Sequence, residues 1–309
     1  MLDRLIRLIG IIFFCLAAGL IFHEVKTVGL AYLITLVKNT PMWITASAIG
    51  LTIVNYFILS EYDRLSLDYL GKKISYFDIL KASWISFAIS NTAGHVYLSG
   101  GSTRYLFYLP LGIARTDILK MVIFETITVF IGMATAYEIS LWLSIFEPDL
   151  HLNDITGFAV IALLILCFFL LYWFCFVLPQ KKLTVGQLSI NIPDTGLTIK
   201  QIIIGLCDNF SLFLIFYSLI RYYLPVSFGT TFTVFIIAQG IGLVTQVPGG
   251  LGVFEGTFLY LFPHTTTQKS GILAALILFR FIYYILPFLT AGGYLGFRMI
   301  QKLFQSRSL

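Results

Sequence analysis

In a chain of 309 residues, 58% hydrophobic and 11% charged with a mean hydropathy of +0.91, the charged fraction falls far below the ~25% of soluble domains, which marks a polytopic membrane protein. No polar interval exceeds about twenty residues, short of the roughly 50 that an independent soluble domain needs, so one transmembrane domain over 1–309 with no soluble catalytic domain is expected. The net charge of +5 is spread over loops and ends, which suits positive-inside topology better than a nucleic-acid footprint.

The first apolar segment, 5–25, follows Arg4 and Arg7 and imitates a signal peptide, but its length and the further spans behind it favour an uncleaved helix with a cytoplasmic N-terminus. A second span is expected at 42–60. The stretch after it holds Asp63, Arg64, Asp68, Lys72, Lys73 and Lys81 and reads as a solvated cytoplasmic connection. From 79 the chain is apolar again until Ser90-Asn91-Thr92-Ala93-Gly94-His95, then Ser99-Gly100-Gly101-Ser102-Thr103-Arg104. Glycine and polar residues break this segment. If it crossed completely, Arg104, Arg115 and Lys120 would lie outside, so the charge rule favours a re-entrant hairpin.

A long span at 117–145 leads to the external connection 147–154, which has no lysine or arginine, and a span at 156–178 returns the chain to Lys181 and Lys182. An amphipathic connector punctuated by glycine and proline runs to Lys200. A span at 200–223, a second broken segment at 230–262 and a last span at 270–300 follow, and Arg298, Lys302 and Arg307 put the C-terminus inside. The expected fold is therefore all-α, with about six full spans and two re-entrant hairpins entering from opposite faces. Span, hairpin and span occupy 42–145 and again 200–302, with 156–178 between them, which is the layout of an inverted-topology repeat. Two unrelated kinks in an ordinary bundle remain the alternative.

The second break is Gln246-Val-Pro248-Gly249-Gly250-Leu-Gly252-Val-Phe-Glu255-Gly256. Pro248 removes a backbone donor, and Gly249, Gly250 and Gly252 favour left-handed or closely packed backbone, so the helix should stop here. Irregular backbone at membrane depth is tolerated only inside protein or beside a water-filled cavity. Glu255 then falls in the first turn of the next helix, where free N–H groups and the dipole favour negative charge. The spacing departs from a dinucleotide loop, and no nucleophile elbow or Walker sequence is present.

Ionisable residues inside the apolar segments are Glu125, Asp208, Glu255 and Arg280, with Arg104 and Arg221 near segment ends. Each should face the protein interior, a partner or water. For Glu255 and Arg280, a buried ion pair fastening the hairpin and a role in transport carry equal weight. Arg104 is suited to a phosphodiester beside glycine-exposed amides, against an interfacial anchor that snorkels. Glu125 and Asp208 are candidates for coupling, as proton relays or cation acceptors, although helix-to-helix hydrogen bonding ranks ahead. His95 reads as a structural histidine. With His23, His151 and His264 dispersed, and Cys15, Cys167, Cys175 and Cys207 lacking paired spacing, neither a metal, a cofactor nor a disulfide framework is expected.

Pro248-Gly-Gly-Leu-Gly-Val-Phe-Glu255, with Arg280 and Pro287 on the last span, resembles the signature of the lysylphosphatidylglycerol synthase transmembrane-region family, the flippase-like membrane part of the multiple peptide resistance factor, which also occurs as stand-alone inner-membrane proteins. Asn91, Gly100, Gly101 and Arg104 are similar to that family's first glycine break and arginine. The resemblance runs over nearly the whole chain. It implies a lipid-translocating domain of the bacterial inner membrane, with Arg104, Glu255 and Arg280 as charged pocket residues and the glycines of both breaks lining the path. A chain ending near 309 lacks the family's cytosolic aminoacyl-transferase domain, so it is expected to move lipid rather than synthesise it.

The leading hypothesis is a flippase or scramblase-like transporter of an anionic or aminoacylated phospholipid. An intramembrane lipid-modifying enzyme using Glu255 or His95 as general base is the second. A non-catalytic membrane partner that delivers lipid to a separate transferase or envelope machine is the third, and the partners considered are a membrane lipid, a second membrane protein or another copy of the chain as a homo-oligomer, with no nucleic acid.

Overall fold

The computed structural model describes residues 29–93, 96–145, 182–185, 188–245, 247–262, 265 and 268–307. The expected spans at 5–25 and 156–178, the external connection 147–154 and His95 lie outside the described residues. A short helix, α1 (Leu30–Lys38), precedes the long α2 (Met42–Tyr69), which starts directly after Pro41. Then come α3 (Tyr76–Ala93), α4 (Val96–Tyr108) and the long α5 (Arg115–Ile145). The connector to the second half carries one antiparallel hairpin, β1 (Lys182–Val185) on β2 (Leu188–Asn191), with Lys182 opposite Asn191. It is a small addition to a fold that is otherwise helical among the described residues. The long α6 (Thr195–Tyr223) is opened by Asp194, whose side chain accepts from the Leu197 amide at 2.7 Å, an N-cap that satisfies one of the free first-turn donors.

After α6 come α7 (Phe228–Thr245), a one-turn 3-10 segment at Pro248–Gly250, α8 (Val253–Leu261) and α9 (Lys269–Phe279), which continues through a π-helical turn at Arg280–Ile285 into α10 (Leu286–Arg307). Among the described residues, five helical stretches are long and apolar enough to cross a membrane: Met42–Tyr69, Arg115–Leu143, Thr195–Tyr223, Phe228–Thr245 and Lys269–Arg298. This is the all-α polytopic membrane fold expected from composition, built twice in the order long helix, broken pair, long helix. The arm α7, expected as half of a re-entrant hairpin, is itself 18 residues long. At 1.5 Å per residue it measures about 27 Å, close to the ~30 Å hydrocarbon thickness.

Two expectations about the first half are corrected. The charged stretch after residue 60 is not a loop: α2 runs nine residues further, and Asp63 is fully buried within it. Charge outweighed period there, because Thr52, Asn55, Asp63 and Ser66 all fall on one buried face of a continuing 3.6-residue repeat. Gly100 and Gly101, expected to break the segment, lie inside α4. Their amides are therefore helical rather than exposed beside Arg104.

Packing fixes both broken pairs against the long helices. Helices α5 and α6 cross at Gly132 and Gly205, where a Cβ added to Gly132 would stand 2.4 Å from the Gly205 Cα. Only glycine at both positions permits that approach, the small-residue contact by which helices in lipid pack without a hydrophobic driving force. Nearby, Gln201 Nε2 donates to Thr128 Oγ1 at 2.8 Å. In the second half, Phe216 meets Phe258 at 4.9 Å and Phe279 at 5.5 Å between ring centroids, while Phe235 meets Phe254 at 5.3 Å. These edge-to-face rings wedge α7 and α8 between α6 and α9.

Candidate functional site: a cavity where two helix breaks meet

The backbone of the second break is held by side chains. Gly249 and Gly250 both have φ of 60° and Gly252 has φ of 80°, conformations that side-chain-bearing residues adopt at a cost. Glu255 sits at the third position of α8, and its Oε2 accepts from the Gly252 amide at 2.6 Å, the acidic half of a capping box. Its other oxygen, Oε1, accepts from Arg280 Nε. The Arg280 guanidinium also donates to the Gly249 carbonyl through Nη1 and to the Gly250 carbonyl through Nη2 at 3.2 Å. Tyr284 and Phe254 lie against it, with ring centroids 4.5 and 5.5 Å from Cζ. The ion pair expected to fasten this hairpin is thus present, and all three guanidinium nitrogens are engaged.

Arg280 begins the π-helical turn, a departure from α geometry that often marks functional sites. The same turn reaches the first break. Thr92 Oγ1 donates to the Tyr284 carbonyl at 3.3 Å, and Asn91 Nδ2 approaches the Tyr283 hydroxyl at 3.5 Å. A Cβ on Gly249 would lie 3.3 Å from the Asn91 carbonyl oxygen. The last turn of α3 and the Pro-Gly-Gly turn are therefore in direct apposition.

A cavity of about 150 Å³ opens at this apposition, lined by Asn91, Gly249 and Gly250 from the two breaks, by Asp208 and Asn209 of α6, and by Tyr283. The rings of Phe87, Phe254 and Tyr284 complete its wall. Asp208 is held by neutral donors: Asn55 Nδ2 to Oδ1 at 2.9 Å and the Tyr62 hydroxyl to Oδ2 at 3.0 Å. Asn55 is fully buried, donates also to Ser211 Oγ at 2.7 Å, and accepts from the Tyr283 hydroxyl at 3.0 Å. It ties α2, α6 and the π-helical turn together behind the carboxylate. No arginine or lysine pairs with Asp208 among the described residues.

Arg104 occupies a separate cluster. It donates to Asp63 Oδ1 from Nη2 at 2.6 Å and from Nε at 3.1 Å, and the same Nη2 lies 2.8 Å from Glu125 Oε2. The Tyr108 hydroxyl donates to Asp63 Oδ2 at 2.6 Å and Ser66 Oγ to Glu125 Oε1 at 3.3 Å. Phe87 covers the guanidinium at 4.8 Å. Relative exposures of 2% for Arg104, 0% for Asp63 and 5% for Glu125 exclude the snorkelling anchor. Of the residues singled out from sequence, Asn91, Gly249, Gly250 and Asp208 line the cavity, and Arg280 with Glu255 holds the Gly249–Gly250 wall from behind, next to Gly252. Arg104 and Glu125 meet each other instead, around Asp63. Sequence reasoning missed Asn55, Tyr62 and Asp63, whose signal was the polar stripe along α2.

Fold and site together define a multi-pass, all-α membrane protein with a largely apolar cavity between the end of α3 and the Pro-Gly-Gly turn and a carboxylate in its wall. A scan against models of known protein families returns no match. The chain is similar to an uncharacterized protein of Synechocystis sp., 29% identical over 303 residues covering 95% of this chain and 91% of the relative. It is also similar to the inner membrane protein YbhN of Escherichia coli, 26% identical over 79% of this chain and 77% of YbhN. A phosphatidylglycerol lysyltransferase of Staphylococcus haemolyticus is 24% identical over 92% of this chain, which spans only 34% of that longer protein. These relatives bear out the resemblance carried by the Pro248–Glu255 motif.

Proposed function

We propose that the protein moves a polar-headed membrane lipid between leaflets, with the head group passing through the cavity between the helix breaks and the acyl chains remaining in the bilayer. The observation that carries this is the cavity itself: the last turn of α3 and the Pro-Gly-Gly turn brought together, sheltered by the long helices, beside a carboxylate that no arginine or lysine among the described residues pairs. Broken helices meeting at a polar site are the common plan of secondary transporters. The repeated order of elements in 42–145 and 200–302 supports an inverted repeat, with the broken pairs entering from opposite faces and both termini cytoplasmic. YbhN's description as an inner membrane protein supports the same location here.

The pairing of charges selects the head group. The arginines expected to bind phosphate are taken up, Arg280 by Glu255 and two carbonyls, Arg104 by Asp63 and Glu125. What the cavity offers instead is an acidic group among aromatic rings, a setting that attracts an ammonium. A lipid bearing an amine, such as an aminoacylated phosphatidylglycerol, fits better than an anionic one, and relatives that are phosphatidylglycerol lysyltransferases favour the same class. Glu255 has both oxygens committed, which disfavours it as the general base of a lipid-modifying enzyme.

The test is to purify the protein in mild detergent and identify retained lipids by mass spectrometry after exchange against mixtures of lysyl-phosphatidylglycerol, phosphatidylethanolamine and phosphatidylglycerol. Enrichment of the amine-bearing lipids, lost in Asp208→Asn, is expected. Equal retention of phosphatidylglycerol by both proteins would contradict the choice of head group.

A further inference from the structure

Of the acidic residues singled out from the sequence, Glu125 and Glu255 are each paired with an arginine, and Asp208 is not. An isolated carboxylate in a poorly solvated cavity is costly in its charged form, so it needs a cation or a proton. Neutral donors at 2.9 and 3.0 Å orient Asp208 without supplying that charge. The titratable and charged groups around it are Tyr62 and Tyr56 on α2, Cys207 beside it on α6, and Tyr283 and Tyr284 on the π-helical turn. Beyond them lie the paired Glu255 with Arg280 and Asp63 with Arg104 and Glu125. Helices α3 and α7 present Ser90, Asn91 and Gln239 to the cavity, none of them charged.

From this arrangement we infer that Asp208 is the exchange point of a proton-coupled cycle, in which a proton and the cationic head group occupy the same carboxylate in turn. The inference rests on the amine-lipid reading above and adds its energetics. In this cycle Asp208 carries the proton while the cavity holds no head group. When an ammonium enters, the carboxylic acid releases its proton to water on that side, and the carboxylate pairs with the ammonium, so one positive charge replaces another. After the head group leaves toward the opposite leaflet, the carboxylate takes a proton from that side. One proton travels against each head group and no net charge crosses. The aromatic wall suits an organic ammonium better than a bare metal ion. Asn55, locked between Asp208, Ser211 and Tyr283, is the positioning residue that fixes Oδ1, as the Tyr62 hydroxyl fixes Oδ2, and so sets how the carboxylate faces a cavity occupant.

The experiment uses the full chain in vesicles of neutral phosphatidylcholine containing acyl-labelled lysyl-phosphatidylglycerol or, separately, acyl-labelled phosphatidylcholine. A pH difference of one unit is imposed across the membrane with the amine groups of the probe protonated on both sides, and the steady-state leaflet distribution is read by a membrane-impermeant quencher. One proton per head-group charge predicts a shift in the lysyl-lipid ratio of up to about tenfold per pH unit toward the leaflet on the acidic side, reversing when the gradient is reversed. The same step should leave the phosphatidylcholine ratio unchanged. Asp208→Glu, which keeps the carboxylate, should retain the response, and Asp208→Asn should lose it while eluting as a monodisperse protein. If lysyl-lipid crosses but its distribution ignores the pH gradient, coupling at Asp208 is overturned and lipid movement stands. If no lipid crosses faster than in protein-free vesicles, the transport reading fails and the coupling with it.

Discussion

Arg280 shows how a single side chain can hold an irregular backbone in a membrane. Its planar fork reaches a carboxylate and two carbonyls at once, a geometry that lysine cannot reproduce. Breaking a buried pair typically costs roughly 3–5 kcal/mol, so Arg280→Lys and Glu255→Gln should each lower the melting temperature in detergent markedly. If the lysine variant melts like the wild type, the fork is not what holds the turn. Gly249→Ala should be destabilising by about 1–2 kcal/mol for the left-handed backbone alone, with a further cost from the Asn91 carbonyl 3.3 Å from the new Cβ. In the Arg104 cluster two carboxylates share one guanidinium. Glu125→Gln removes surplus negative charge, whereas Arg104→Gln leaves two unpaired carboxylates, so the arginine variant should be the less stable by melting measurements. At this scale the sequence was informative where chemistry is local. Glycines after a proline, with a glutamate three positions into the next helix, announce a turn and its cap. The partners of Arg104 and Asp208 lie 41 and 153 positions away, on a helix whose charged end looked like a loop, and no local pattern names them.

Between elements, the crossing of α5 and α6 at Gly132 and Gly205 sets where Asp208 stands, since it lies on α6 less than one turn beyond Gly205. Alanine at either position would put a Cβ within about 3 Å of backbone on the facing helix, and backbone cannot yield as a flexible side chain would. Gly132→Ala and Gly205→Ala should therefore both lower the melting temperature, and the double variant should be no worse than additive if the helices simply move apart. Unchanged stability in both would show that the crossing is loose. The extent of α2 was hidden by its charges, and the glycines of α4 suggested a break in a place where the chain is helical. Composition predicts where a helix is weak, but a glycine pair within packed helices stays helical when neighbouring side chains cover it. The break at Pro248–Gly252 was readable because proline and three positive-φ glycines leave no helical alternative.

For the whole molecule, the order long helix, broken pair, long helix occurs twice among the described residues, and the all-α polytopic class followed from composition and hydropathy alone. What sequence could not supply was the meeting of the two breaks, because that apposition is made by tertiary packing between residues 91–92, 249–250 and 280–284. The opposed orientation proposed for the halves has a direct consequence. In a variant lacking the native cysteines, Ala114→Cys at the base of the first broken pair should react with impermeant thiol reagents from the cytoplasmic side, and Thr265→Cys at the base of the second from the outside. Labelling of both from one side would remove the inverted repeat.

The central claim is that lipid head groups cross through the cavity beside Asp208, and leaflet exchange in proteoliposomes tests it most directly. Acyl-labelled lysyl-phosphatidylglycerol should become accessible to an impermeant quencher well faster than in protein-free vesicles, and filling the cavity from its helical wall by Val129→Trp should bring the rate down to that background while the variant still elutes as a monodisperse protein. Exchange that never exceeds the protein-free rate, or that persists undiminished with the cavity filled, would contradict it.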